Sequence, residues 1–255
     1  MILTRKFVFI HMAKTGGTFA TTVLKRVVKG PRKRGYFARL RRRIEEPVFL
    51  NVEKHGPCTE IPRRWQGRPI LSVIRNPYDH LLSHYRFDWW KSFPPPWVDY
   101  RALRRRFPTW PDVSFEQFQE GFHLYFRRLR APGIPPEEQP GCLTEQFLIQ
   151  YFREPAAAFR RIDDAYLAAR GYEKDMYPVK FLRMERLNQE LRDALVDLGY
   201  PEDDVEFILC LGRIVPPETK DGPPPRWEAF YTPELKAQVR RRERLLFSMF
   251  PEYDR

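Results

Sequence analysis

Lys14 and the glycine pair that follows it are the residues of this 255-residue chain whose types and spacing most directly suggest chemistry. The stretch is His11-Met-Ala-Lys14-Thr15-Gly16-Gly17-Thr18. A glycine turn at the start of a helix directs backbone N–H groups and the positive end of the helix dipole to one point, where anions bind. Lys14 adds a full charge, and Thr15 and Thr18 add hydroxyl donors. The pattern predicts an anion cradle.

Arg75 is the second candidate, because it lies where a strand is expected to end and a helix to begin. It follows the apolar run 70–74 and precedes Asn76-Pro77, a favourable N-cap and first helical residue. Ser83 is about two turns into the predicted helix over 77–91. Ligands of parallel α/β sheets bind at the carboxyl ends of strands, so we expect Lys14 and Arg75 on the same rim.

The elements that must position these residues alternate between strands and helices. Short apolar runs predict strands over 7–10, 47–52, 70–74 and 177–182, and apolar residues at helical spacing predict intervening helices and a last helix over 233–250. This alternation favours an α/β fold with a three-layer arrangement, a central, mostly parallel sheet flanked by helices. We expect a single domain over 1–255, with proline-rich loop or helical insertions around 92–112, 131–141 and 214–226.

Composition limits the class of protein without selecting one. Hydrophobic residues make up 42% of the chain, typical of a globular protein, and the net charge of +12 favours an anionic ligand or surface. The three cysteines form no CxxC pair, which argues against structural zinc and against a disulfide framework. Neither a signal peptide nor a membrane span is predicted, so we expect a soluble, cytoplasmic protein. The basic run from Lys25 to Arg43 is either a solvated connector or a surface that steers acidic ligands.

Two other functions compete at this point. A nucleotide kinase or NTPase would place its lysine after the last glycine and hold magnesium with an aspartate at a strand end, whereas Lys14 precedes Gly16 and no aspartate ends the strands at Ile10 or Ile74. A nucleic-acid binder would interleave aromatic residues with its basic run, which here contains few. We therefore expect neither a metal nor a nucleic-acid partner.

The two motifs together resemble those of sulfotransferases that use 3′-phosphoadenosine-5′-phosphosulfate (PAPS). His11 to Thr18 is similar to the family's 5′-phosphosulfate loop, and Arg75-Asn-Pro-Tyr-Asp-His-Leu-Leu-Ser83-His-Tyr85 is similar to its 3′-phosphate motif. The likeness is strongest to the carbohydrate-type branch and continues weakly over Phe181–Leu187 and Trp227–Tyr253. Met12-Ala13 departs from the family's more familiar Ile-Pro. The resemblance implies a P-loop NTPase-like fold and transfer of a sulfuryl group to a carbohydrate or other small acceptor.

The resemblance also implies roles for individual residues. Lys14 would contact the sulfuryl group and the bridging oxygen, Thr15, Gly16, Gly17 and Thr18 would hold the 5′-phosphate, and Arg75 and Ser83 would hold the 3′-phosphate. The donor brings its own anions, so no metal is required, and the product is adenosine 3′,5′-bisphosphate.

The acceptor hydroxyl or amine needs a general base, and the residues leave its identity open. His55 matches the position of the catalytic histidine in related carbohydrate sulfotransferases, and a neutral imidazole accepts a proton near neutral pH. Glu53 is the rival, and a third possibility is that neither residue is the base. His11 is interpreted as structural. Acceptor contacts and closure over the donor are hypotheses for a further set of residues: Trp89, Trp90, Trp97, Trp110, Lys220 and Arg226.

Overall fold

The computed structural model describes residues 1–29, 50–212, 214 and 226–254. Its strands are β1 (Ile2–Leu3), β2 (Val8–Phe9), β3 (Leu50–Asn51), β4 (Ile70–Ile74) and β5 (Val179–Arg183). Its helices are α1 (Gly17–Lys29), α2 (Pro77–Phe87), α3 (Trp89–Ser92), α4 (Tyr100–Arg106), α5 (Phe115–Tyr125), α6 (Cys142–Tyr151), α7 (Pro155–Arg161), α8 (Asp164–Ala168), α9 (Tyr172–Asp175), α10 (Leu187–Asp197), α11 (Glu202–Val205), α12 (Pro233–Arg242) and α13 (Arg244–Met249). Most of the basic run and of the 214–226 insertion, including Lys220, lies outside the described residues.

The sheet is mostly parallel, as the alternation of elements predicts. Its strand order is β3-β1-β2-β4-β5, and the pairs β2–β4 and β4–β5 are parallel. Strand β1 is antiparallel to both of its neighbours, so four of the five described strands run in one direction. Phe9 is in register with Leu71, and Ile74 with Arg183. The carboxyl ends of β2 and β4 therefore point to the same edge of the sheet, with β4 extending three residues beyond Leu71.

Strand β4 is buried along its whole length, which its apolar sequence Ile-Leu-Ser-Val-Ile explains. Ser72 is the polar exception, and its hydroxyl donates to the Ile10 carbonyl at 2.8 Å. Because an unpaired buried hydroxyl costs free energy, this bond lets Ser72 sit in the core and fixes the end of β2 against β4.

Contacts divide the chain into two compact units, Met1–Arg75 with Tyr177–Pro217 and Asn76–Met176 with Glu218–Arg255. In the first unit, α1 and α10 cover one face of the sheet through a shared apolar core that includes Phe9, Val23, Leu71 and Leu191. Burial of these side chains holds α1, and hence the loop before it, against the sheet. The single domain and the second layer of helices remain predictions.

The second unit is organised around an aromatic core. Trp90 is 2% exposed and stacks on Phe118, with ring centroids 4.3 Å apart. The helix predicted over 77–91 breaks at Asp88, which has a φ of 53°, and α3 then carries Trp90 into this core. The predicted last helix is likewise divided, into α12 and α13. The insertion around 92–112 contains the helix α4.

None of the described helices has both the length and the hydrophobicity that a bilayer span requires.

Candidate functional site

The loop between β2 and α1 has an unusual backbone. Lys14 has a φ of 64° and Gly16 a φ of 86°, both in the left-handed region. Glycine adopts this region freely, whereas a residue with a Cβ loses about 1–2 kcal/mol there. A Cβ on Gly16 would also lie 2.5 Å from the sulfur of Met184. A strained lysine between a strand and a helix is the kind of backbone outlier that functional loops contain.

The hydroxyl of Thr15 closes this loop from inside. Thr15 is buried, and its Oγ1 donates to the Met12 carbonyl at 2.9 Å. The Thr15 hydroxyl is therefore engaged within the loop. Thr18, half-buried, is the second residue of α1.

Gly17, the first residue of α1, lacks a side chain because the His11 imidazole lies where a Cβ would go. A Cβ built there would be 1.6 Å from His11 Nε2, far inside van der Waals contact. His11 is 7% exposed, and burial lowers the pKa of its ring to about 3, with His55 and Lys54 contributing. A neutral His11 therefore packs against the start of α1 at physiological pH.

Arg75, directly after β4, touches the loop. Its Nη1 donates to the Lys14 carbonyl at 2.9 Å. The contact brings two of the predicted site residues together, one from each parallel strand end. It places the Arg75 guanidinium against the backbone of the loop, at the strand ends where ligands of such sheets bind.

His55, also in the first unit, contacts the loop between β2 and α1. Its Nδ1 and the His11 carbonyl are 3.0 Å apart, and the two imidazole rings are 4.8 Å apart between centroids. Since a carbonyl only accepts, this bond puts the proton of a neutral His55 on Nδ1 and leaves the lone pair on Nε2. His55 as a whole is exposed, but burial of its imidazole lowers the pKa of the ring; the bond to His11 opposes this shift, and Lys54 reinforces it.

Ser83 is placed on α2, in the second unit, and is half-buried there. The local structure before it is as predicted. Asn76 is the N-cap, with its side chain accepting from the Tyr78 N–H at 2.9 Å, and Pro77 is the first helical residue.

The remaining candidates differ in exposure. Trp90 and Trp110 are core residues, and Trp89 is half-buried with its Nε1 donating to His84 Nδ1 at 3.1 Å. Arg226 is exposed and pairs with Glu228 at 3.3 Å. Glu53 is exposed, two residues before His55. Among the described ranges no three His, Cys, Asp or Glu side chains converge as metal ligands would.

His11 is the residue whose position sequence reasoning underrated. It links the loop to the candidate base, with its ring on Gly17 and its carbonyl on His55. The sequence shows that His11 lies between β2 and Lys14, but it does not show the contact with His55, which is 44 positions away.

Comparison with known proteins adds a structural similarity. No protein-family model matches the chain, and no curated protein matches it. A solved structure described as mouse sulfotransferase SULT7A1 complexed with PAP is similar at 12% identity and a TM-score of 0.45, over 98% of this chain and 84% of that one. A likeness at that TM-score supports no conclusion about fold or activity.

Proposed function

We propose that the chain is a PAPS-dependent sulfotransferase, which moves a sulfuryl group from PAPS to a hydroxyl or amine of a carbohydrate or other small acceptor. The observation that carries the proposal is the contact between Arg75 and the Lys14 carbonyl at 2.9 Å. It joins the two motifs that resemble the donor-binding motifs of sulfotransferases.

The donor side of the proposal uses the loop and the two strand ends. The N–H groups of Thr15, Gly16 and Gly17, with Thr18, bind the 5′-phosphate at the start of α1, where the helix dipole favours an anion. Arg75 and Ser83 bind the 3′-phosphate. A guanidinium suits this task, because it stays charged and can form paired hydrogen bonds with phosphate oxygens.

Lys14 acts on the bond that breaks. Negative charge develops on the phosphate oxygen as the sulfur–oxygen bond to it lengthens, and a fixed ammonium there stabilises the transition state more than the ground state. The left-handed backbone at Lys14 supports this role, since strain at one residue is tolerated where a side chain must be aimed.

His55 serves as the general base in this proposal. Its Nε2 accepts the proton of the acceptor hydroxyl as the acceptor oxygen forms its bond to sulfur, and adenosine 3′,5′-bisphosphate leaves. The Nδ1–H bond to the His11 carbonyl supports the assignment, because it orients the ring and keeps the basic lone pair on Nε2. Glu53 has no comparable orienting contact among the described residues.

The deciding experiment incubates the protein with labelled PAPS and a panel of saccharides and phenols, with and without a chelator. Label transfer that is insensitive to the chelator is expected. Lys14→Ala should abolish transfer, whereas Lys25→Ala, an exposed lysine on α1, should leave it unchanged. Thermal stabilisation by ATP with magnesium but not by adenosine 3′,5′-bisphosphate would refute the proposal in favour of a kinase or NTPase.

A further inference from the structure

The two most exposed large apolar side chains of the described residues lie on one short segment of the second unit. Phe93 is 75% exposed and Trp97 is 51% exposed, and Pro94, Pro95 and Pro96 separate them. Single exposed apolar residues are ordinary, whereas exposed large apolar groups that occur together can mark an interaction site.

Hydrogen bonds and burial hold this segment in place. The Phe93 N–H donates to the Trp89 carbonyl at 2.8 Å, and the Val98 N–H donates to the Pro95 carbonyl at 3.3 Å. Val98 is 6% exposed and anchors the end of the segment. Trp97 Nε1 donates to the Phe126 carbonyl at 3.2 Å, so its indole is fixed with half of its surface in water. The fold therefore holds this segment in place with both aromatic side chains exposed.

Positive charge accompanies the exposed rings. The Arg128 guanidinium lies 5.1 Å from the centre of the Trp97 ring. Helix α4, which begins three residues after Trp97, exposes Arg104 and Arg105. Within the part of the chain that the structure describes, no carboxylate lies within 4.0 Å of these three arginines, whereas Arg106 pairs with Glu120 at 2.8 Å.

We propose that Phe93, Trp97, Arg104, Arg105 and Arg128, here called the aromatic–basic surface, dock the protein reversibly on an anionic phospholipid bilayer. Tryptophan favours the headgroup level of a membrane, and an exposed phenylalanine has no polar atom and is stabilised by hydrocarbon. Arginines bind lipid phosphates and are attracted by the negative surface potential.

The chemistry of the surface favours lipid over an acidic saccharide. A saccharide needs donors and acceptors for its hydroxyl groups beside the ring it stacks on, and Phe93 and its neighbouring prolines supply no such side-chain groups. One flank of Trp97 is also occupied by the Arg128 guanidinium. The proposal is independent of the sulfotransferase assignment, because it concerns binding and not transfer.

The test is co-sedimentation of the full chain with vesicles of phosphatidylcholine alone or with about a third phosphatidylserine. We expect binding to the anionic vesicles that weakens with salt. Arg104→Gln with Arg105→Gln should weaken vesicle binding roughly thirty-fold, because each arginine near the surface contributes about 1 kcal/mol and about 1.4 kcal/mol corresponds to a tenfold change in affinity. Phe93→Ser with Trp97→Ser should weaken it at least tenfold. Circular dichroism should show that both double variants remain folded.

Matched controls separate this surface from bulk charge and general hydrophobicity. Arg160→Gln with Arg241→Gln removes the same charge from other exposed positions, and Ile134→Ser removes a less exposed apolar residue of the same unit. Both should retain binding within about twofold. No binding to anionic vesicles, or equal losses in the control variants, would overturn the proposal. So would aromatic variants that keep vesicle binding but lose binding to a sulfated oligosaccharide.

Discussion

Replacing Gly17 with alanine should be severely destabilising, and removing the His11 ring should rescue it. The added Cβ would lie 1.6 Å from His11 Nε2, about 2 Å inside ordinary contact. The His11 ring is 7% exposed and lies against His55, so it has little room to move away. We expect Gly17→Ala to cost about 3 kcal/mol, the upper end of the usual range for overpacking.

The double variant, His11→Ala with Gly17→Ala, measures the coupling between the two positions. His11→Ala alone should cost about 2 kcal/mol through lost packing. Independent effects would add to about 5 kcal/mol in the double variant, but the new methyl group enters the space that the ring leaves. The double variant should therefore lose only about 2 kcal/mol, which is a coupling of about 3 kcal/mol.

Thermal and urea unfolding of the four proteins would measure this coupling. For a chain of this size Gly17→Ala should lower the melting temperature by about 6–12 °C. Gly212→Ala is the matched control, because no atom lies within 4 Å of the Cβ that it would gain. It should change stability by less than about 1 kcal/mol. Additive losses at Gly17 and His11 would refute the packing of the ring on the helix start.

Three further predictions concern the strained lysine and the two histidines. Lys14→Gly should be more stable than Lys14→Ala by about 0.5–1 kcal/mol in urea unfolding, because glycine tolerates the positive φ, while both abolish sulfuryl transfer; equal stability would argue against strain. His55→Ala should lose turnover but still bind adenosine 3′,5′-bisphosphate. In the natural protein, kcat/KM should fall at acid pH with a midpoint below the ordinary histidine pKa of 6.5, because the lowered pKa of His55 keeps the base neutral to lower pH. The pKa of His11 is about 3 in the folded state and 6.5 in the unfolded state, so His11 should make the folded state less stable as pH falls below 6.5, by about 2 kcal/mol between pH 7 and pH 5. His11→Asn should remove this part of the pH dependence of the free energy of unfolding. The same pH dependence in His11→Asn would contradict the prediction.

Local signals in the sequence predict the elements that carry the candidate site. Strand β4 has the predicted bounds, and Asn76 and Pro77 begin α2 as their types indicate. Ser114 and Gln117, three residues apart, form the capping box at the start of α5 that this spacing indicates. These features depend on neighbouring residues, which is why a single sequence is enough to find them.

Features that depend on distant residues escape such reasoning. The helix predicted to residue 91 ends at Phe87, and Trp90 packs on Phe118, which is 28 positions away. Strand β1 is two residues long and has no period to detect, and its antiparallel pairing with β2 is a tertiary contact. The placement of His55 against His11 is of the same kind.

The departure from the sulfotransferase-like loop pattern has a physical counterpart in these contacts. A proline at position 13 would preset the turn, and Ala13 does not. The bond from Thr15 Oγ1 to the Met12 carbonyl closes the same turn, and Met12 is 1% exposed, so both ends of that bond are fixed by the core. Three bonds that join the loop to its neighbours also end on main-chain oxygens: Ser72 donates to Ile10, His55 to His11 and Arg75 to Lys14. Because the acceptors are carbonyl groups, these three bonds do not depend on the side chains of Ile10, His11 and Lys14, but they do depend on the groups that donate to them.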